Sequence, residues 1–225
     1  MFQPRLRPSL ILMSFMLSLV TLTGANAEED ADPFENLAPV EDAKVGMAYI
    51  DPDADFSVFK RFMILEPHVA FRSNWERDQR RTGSRTRVSA SDMDRIKTDV
   101  ANLFRDVFTE TLEKGDAMQL AEEPDFDVLL IRPAIIDLDI TAPDLASPGR
   151  SRTFTTTGGA ATLYIELYDS VSGQIIGRAL DRRTVRNSTG NVSWTNRVTN
   201  TADARRMFMG WAELLRNFLE SYYSE

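Results

Sequence analysis

Apolar positions along this chain fall into two periods, and each predicts its own kind of element. From Ser91 to Glu113 the residues Met93, Ile96, Val100, Leu103, Phe104, Val107, Phe108 and Leu112 recur at steps of three and four, which gathers them on one face of a helix. Ser91 with Asp94 three places on supplies a start signal for that helix, and Gly115 supplies a left-handed stop. A second stripe, Phe208, Trp211, Leu215, Phe218 and Tyr222, predicts a closing helix from about Thr201. Elsewhere the period is two. In "ATLYIELYD" Leu163, Ile165 and Leu167 alternate with Tyr164, Glu166 and Tyr168, and "IIGRALDRRTV" follows across Ser172-Gly173, so the pair predicts a β-hairpin.

The stretch "FDVLLIRPAIIDLDI" begins as a continuous apolar run and ends with Ile136, Leu138 and Ile140 alternating with Asp137 and Asp139. It predicts a buried strand that becomes half exposed, with Pro133 marking a bulge or edge. "MAYIDP" and "FKRFMILEP" predict two short strands bounded by proline. A Pro, Ser, Thr and Gly-rich stretch from Ala142 to Gly159 predicts a loop. Together these elements predict an α+β fold, a mainly antiparallel sheet of about four to five strands with two helices packed on one face.

The ends of the chain are organised differently. Arg5 and Arg7, the apolar run Leu10 to Leu22 and the small residues Ala25-Asn26-Ala27 predict a secretory signal peptide over residues 1–27, cleaved after Ala27. At 13 residues that run is shorter than the roughly 20 a spanning helix needs. No transmembrane helix is expected once the signal is removed. Residues 28–42 carry seven acidic side chains, no basic one and two prolines, so 28–45 reads as an acidic flexible leader and 46–225 as a single domain. The expected location is the periplasm, peripheral to the outer membrane at most.

Composition narrows the chemistry. The formal charge is -8, and loss of Arg5 and Arg7 with the signal makes it -10. There is no cysteine, which removes disulfides, thiolate metal ligands, cysteine nucleophiles and lipid attachment at a cysteine. His68 is the only histidine, so catalytic triads and multi-histidine metal sites are closed off. No phosphate-cradling glycine loop or nucleophile elbow occurs, and no cofactor or metal is expected. Asp137 and Asp139, two apart on a strand, are the candidate paired carboxylates for an enzyme, against the plainer reading of solvent-facing alternation.

The residues that stand out are basic. Between Phe71 and Arg87 lie Arg72, Arg77, Arg80, Arg81, Arg85 and Arg87 against only Glu76 and Asp78, with Phe71 and Trp75 interleaved. Guanidinium forks and a large aromatic surface are what binding interfaces enrich, so these eight residues are the candidate binding site. The competing reading is a solvated loop that neutralises acidic segments of the same molecule. The expected partner is an envelope protein or an anionic envelope component. Export and an acidic chain argue against nucleic acid, and the oligomeric state is open.

"DPDADFSVFKRFMILEP", "LYDSVSGQIIGRALDRR" and "WAELLRNFLES" resemble the bacterial envelope family of domain of unknown function 3313. The resemblance spans most of residues 45 to 222 and rests on structural motifs. It implies a secreted protein with no assigned activity, often lipid-anchored at a cysteine. That anchor does not carry over to a chain without cysteine. The expected function is thus a non-enzymatic binding or adaptor subunit. The alternatives are a periplasmic hydrolase using carboxylates such as Asp137 and Asp139, or a carrier of a small apolar ligand held between sheet and helices.

Overall fold

The computed structural model describes residues 34, 36–81, 88–114, 118–140, 153–155, 157–186, 193–195 and 197–223, all within the unit Pro33–Glu225. In chain order the elements are β1 (Ala38–Pro39), β2 (Met47–Ile50), a 3-10 turn (Phe56–Val58), β3 (Arg61–Ile64), β4 (His68–Phe71) and α1 (Trp75–Arg81). There follow α2 (Ala90–Leu112), β5 (Gln119–Leu120), β6 (Val128–Asp139), β7 (Thr153–Thr155), β8 (Thr157–Asp169), β9 (Ile175–Arg186), β10 (Ser193–Thr195) and α3 (Arg197–Ser221).

The predicted hairpin forms the middle of the sheet. Asp169 Oδ1 accepts from the N–H groups of Val171 at 2.9 Å and Ser172 at 2.7 Å, and Gly173 takes a φ of 70°, which closes the turn between β8 and β9. The sheet runs β1-β2-β9-β8-β6-β3-β5, with β4 also on β6, while β7 and β10 form a separate antiparallel pair. It therefore has eight strands rather than four to five. It is mostly antiparallel, but β3 and β4 pair in parallel with β6, and β5 in parallel with β3. The two predicted short strands form as β2 and β3, whereas β1, β4 and β5 have too little alternation to be seen in a sequence, and β7 with the start of β8 lies in the stretch expected as a loop.

Pro133 sits inside a central strand without breaking it. On the edge toward β3 and β4 the Ile131 carbonyl accepts from Leu65 N–H at 2.9 Å, and residue 133 faces that same edge two places on. There β3 has ended at Ile64 opposite Ile131, and β4 begins at His68 opposite Ala134, so the missing N–H falls at the break. The bulge comes later, at Asp137, whose φ is 51°. It shifts the alternation, so that Ile135 and Leu138 are buried rather than Ile136 and Leu138 in step.

Helix α2 starts two residues earlier than its cap signal suggested. The capping box is Ser89 with Asp92, not Ser91 with Asp94, and Gly115 lies outside the described residues. Ile96, Phe104, Val107, Phe108 and Leu112 of α2 join Phe208, Trp211, Ala212 and Leu219 of α3 in one core with Phe62, Leu129, Ile131, Ile135, Leu163, Ile165 and Leu167 of the sheet. A third helix, α1, was not predicted, because "WERDQRR" has no apolar period. Trp75 anchors it, 1% exposed, with Nε1 donating to the Ile140 carbonyl at 3.1 Å.

Candidate functional site

The register of the hairpin decides how well the helices can pack. On the core face of β8, Leu163, Ile165 and Leu167 pair with Asp181, Ala179 and Gly177 of β9. The next strand places Ala48 opposite Ala179 and Ile50 opposite Gly177. Small side chains thus lie beneath the C-terminal half of α3, where they leave room the helix does not fill. The result is a cavity of about 350 Å³ bounded by Trp211, Leu215 and Phe218 of α3, by Ile165 and Leu167, and by Ala179. Val40, Asp42, Ala43, Lys44 and Val45, between β1 and β2, line its outer edge, with Val40 N–H donating to the Ala48 carbonyl at 2.9 Å.

One carboxylate ties these walls together. Asp181 Oδ2 accepts from Trp211 Nε1 at 2.8 Å and Arg183 Nε at 3.0 Å, and Oδ1 accepts from Gly46 N–H at 3.1 Å. It joins α3, β9 and Gly46, just before β2, at one end of the cavity. Arg183 lies along α3, 5.5 Å from the Trp211 ring centroid, and a Cβ on Gly210 would stand 2.4 Å from its Nη1. Glycine at 210 keeps that approach open. Alternation along β9 puts Gly177, Ala179 and Asp181 on the core face, so the sequence carried the signal. It was missed because only the large residues of the hairpin were weighed.

A second cavity of about 350 Å³ lies between α2, α3 and the start of β8; apolar side chains such as Ile96, Leu138 and Phe208 make up most of its wall, and Arg95, Asp99, Asp106, Asp139 and Asp203 stand along it. Three of these carboxylates face arginines: Asp139 meets Arg72 Nε at 2.9 Å, Asp99 meets Arg95 at 3.8 Å, and Asp203 pairs with Arg206. Asp137, across the bulge, turns to Arg182 at 3.9 Å. The two carboxylates proposed as a pair are therefore directed to separate guanidinium groups. Among the described residues no group of three or more potential metal ligands converges. His68 is exposed at the start of β4.

The structure places the candidate arginine stretch as follows. Phe71 and Trp75 stack on each other with centroids 4.2 Å apart, which turns the aromatic pair inward. Arg72 donates to Asp78 at 2.7 Å as well as to Asp139, and those two carboxylates, Asp78 first, raise its guanidinium pKa. Arg80 pairs with Glu76 one turn away, and Arg77 is exposed. Arg81 ends α1. Arg85 and Arg87 lie outside the described residues, as does the expected cleavage point after Ala27.

The opposite face of β8 holds a polar cluster that the alternation also concealed. Glu166 is 6% exposed and accepts from Tyr164 Oη at 2.7 Å, Tyr168 Oη at 2.9 Å and Arg132 Nη1 at 3.2 Å. Burial, then the bond to Glu166, pushes the Tyr164 phenol up to about 12. Burial likewise raises Tyr168. Both phenols donate to Glu166, and Arg132, its side chain 62% exposed, reaches it from the solvent side, so the carboxylate is satisfied within the protein.

Comparison with known proteins adds a family. The family model described as "Protein of unknown function (DUF3313)" matches residues 28–215. No curated protein matches the chain. Among solved structures, a PelC dodecamer from Paraburkholderia phytofirmans is similar at 10% identity and a TM-score of 0.39, covering 75% of this chain and 98% of that one. A Xanthomonas campestris protein of family DUF330 is similar at 14% identity and a TM-score of 0.40, covering 83% and 94%. A neuraminyllactose-binding hemagglutinin homolog from Helicobacter pylori reaches 12% identity and a TM-score of 0.34, covering 77% and 94%. At these scores the case for function rests on the residues of this chain.

Proposed function

The chain belongs to that family of unknown function, and from its own geometry we propose that it is a non-enzymatic binding protein of the cell envelope that holds a small apolar ligand between α3 and the β2–β9 side of the sheet. The observation that carries this is the cavity of about 350 Å³ lined by Ile165, Leu167, Ala179, Trp211, Leu215 and Phe218, a volume within the range of about 300–1,000 Å³ usual for ligand pockets. Its polar groups are few, and Asp181, the main one, is occupied by three donors of the protein itself.

Placement in the envelope is supported by the signal-like residues 1–27, and the absence of cysteine suits a periplasmic protein without a lipid anchor. Fractionating the producing cells and sequencing the N-terminus tests this: a periplasmic protein beginning at Glu28 is expected, and a cytoplasmic one beginning at Met1 overturns it.

Binding is tested by titrating the purified protein with cis-parinaric acid, whose fluorescent group is a polyene within a single chain, and following its fluorescence. A saturable signal is expected, lost in Ala179→Leu, where the larger side chain occupies the cavity. A signal equal in both proteins overturns the reading. A second reading, docking to an anionic envelope component, keeps one observation in its favour: Arg77 is exposed and makes no ion pair among the described residues. Replacing the six arginines by glutamine and measuring binding to anionic vesicles would decide that reading separately.

A further inference from the structure

The shape of the cavity narrows the ligand further than its polarity does. Along α3 its wall runs through Trp211, Leu214, Leu215, Asn217, Phe218 and Ser221. Ten residue steps of about 1.5 Å make it roughly 15 Å long. A volume of about 350 Å³ over that length leaves a mean cross-section of about 23 Å², close to that of one extended alkyl chain. We infer that the ligand is the single acyl chain of an amphiphile, lying along α3 on the small residues Gly177, Ala179 and Ala48. This rests on the binding reading above and names the ligand class for the same site.

The length follows from bond geometry. Carbon–carbon bonds of about 1.5 Å in a zigzag advance about 1.25 Å per carbon, so 15 Å takes a chain of about twelve carbons. Longer chains must leave their last methylenes in water. The charged groups at the wall are balanced: Asp42 and Lys44 stand on the segment between β1 and β2, and Arg178 and Asp181 on β9. Arg178 is held over the rings of Phe34 and Tyr49, with centroid distances of 4.4 and 4.7 Å, and Asp181 is spent on its three donors. No net charge is left to select a head group. The head therefore stays in water, and carboxylate and neutral sugar heads are accepted alike.

The two walls differ in how they adapt. Strand β8 is held by full-length ladders to β6 and β9, whereas the segment from Val40 to Gly46 is tied at its ends, by Val40 N–H to the Ala48 carbonyl and Gly46 N–H to Asp181. Entry of the chain is therefore expected beneath that segment. Gly177 shows how little separates an open from a closed floor: a Cβ there would meet Leu167 Cδ1 at 3.4 Å and Ile50 Cγ2 at 3.7 Å, ordinary contact distances, so Gly177→Val fills the floor as Ala179→Leu does.

The test is calorimetric titration of the full protein, as the cell produces it, with carboxylates of six to sixteen carbons, with dodecyl maltoside and with cholate, each below its micelle concentration. Affinity is expected to rise about fourfold per methylene, to level off near twelve carbons, to be similar for dodecanoate and dodecyl maltoside, and to be absent for cholate. Ala179→Leu and Gly177→Val should each weaken dodecanoate at least tenfold while unfolding as cooperatively as the natural chain. If cholate binds as well as dodecanoate and Ala179→Leu abolishes both, the acyl-chain inference falls and the binding reading stands. If no compound binds, or if both cavity-filling variants bind dodecanoate unchanged, the binding reading itself falls.

Discussion

The two flanks of β8 are built on the same three side chains and end in opposite states. Toward β6, Leu167, Ile165 and Leu163 face Ile131, Pro133 and Ile135. Toward β9 they face Gly177, Ala179 and Asp181. The first flank lies with Phe62 and Phe104 in a filled core, both 0% exposed, and the second bounds a cavity of about 350 Å³. The backbone ladder is continuous across both. What separates a filled core from a cavity here is side-chain volume on one strand, a choice of three residues within one sheet.

The largest test of this contrast lies on the filled flank. Phe104 stacks on Phe108 with centroids 3.9 Å apart and meets Phe208 edge-on at 5.4 Å. Phe104→Ala is expected to cost about 3–5 kcal/mol in urea unfolding, because a packed wall cannot close around the lost ring. A loss under about 1 kcal/mol would mean that this flank is as loose as the other, and the comparison would collapse.

Next comes the carboxylate that props the hollow flank. Asp181→Ala removes the acceptor of Trp211 Nε1, and Trp211 is 2% exposed. Leaving that N–H without a partner should cost about 1–3 kcal/mol. Asp181→Asn, which keeps an acceptor oxygen, should recover most of it. Equal losses from both variants would show that the charge toward Arg183 matters more than the bond to Trp211.

Ala179→Leu has the opposite sign. Filling the hollow flank is expected to stabilise the fold by about 0.5–2 kcal/mol in the same unfolding assay, while removing binding. If it destabilises instead, the space is too short for a leucine rotamer and the flank is better packed than its volume implies.

How far the sequence disclosed this contrast depends on the length of the pattern. Helices α2 and α3 and the β8–β9 hairpin were legible because each repeats its period over ten or more residues. β1 and β5, two residues each, have no period to read, and they raise the strand count above what patterning can reach. α1 was hidden for a different reason: its stability comes from one tryptophan anchored on the Ile140 carbonyl, a contact 65 residues away in the chain. The same contact accounts for part of the arginine stretch. Phe71 and Trp75 are apolar because they pack on the molecule's own end, and Arg72 and Arg80 are matched by Asp78, Asp139 and Glu76. Asp137 and Asp139 looked like one site because a regular strand sends residues two apart to the same face, and the bulge at Asp137 breaks that rule.

The smallest effect at neutral pH tests the other face of β8, where Tyr164 leans on the buried Glu166. The phenol is raised from its ordinary value of 10.0 to about 12 by burial first and by the bond to Glu166 second. The folded protein therefore keeps a proton that the unfolded chain releases near pH 10. Its contribution is fully present below pH 10 and is lost as pH rises toward 12, as the unfolded phenol ionises first. Tyr164→Phe has no such proton to lose. Near pH 7 the variant should be less stable by under about 1 kcal/mol, the worth of one partly exposed hydrogen bond. Across pH 10 to 12 the gap between the natural chain and the variant should close. Unfolding curves of both proteins at half-unit steps measure this directly. Parallel loss of stability in the two would mean that other titrating groups dominate and that the Glu166 cluster, unlike the filled flank beside it, is open to water.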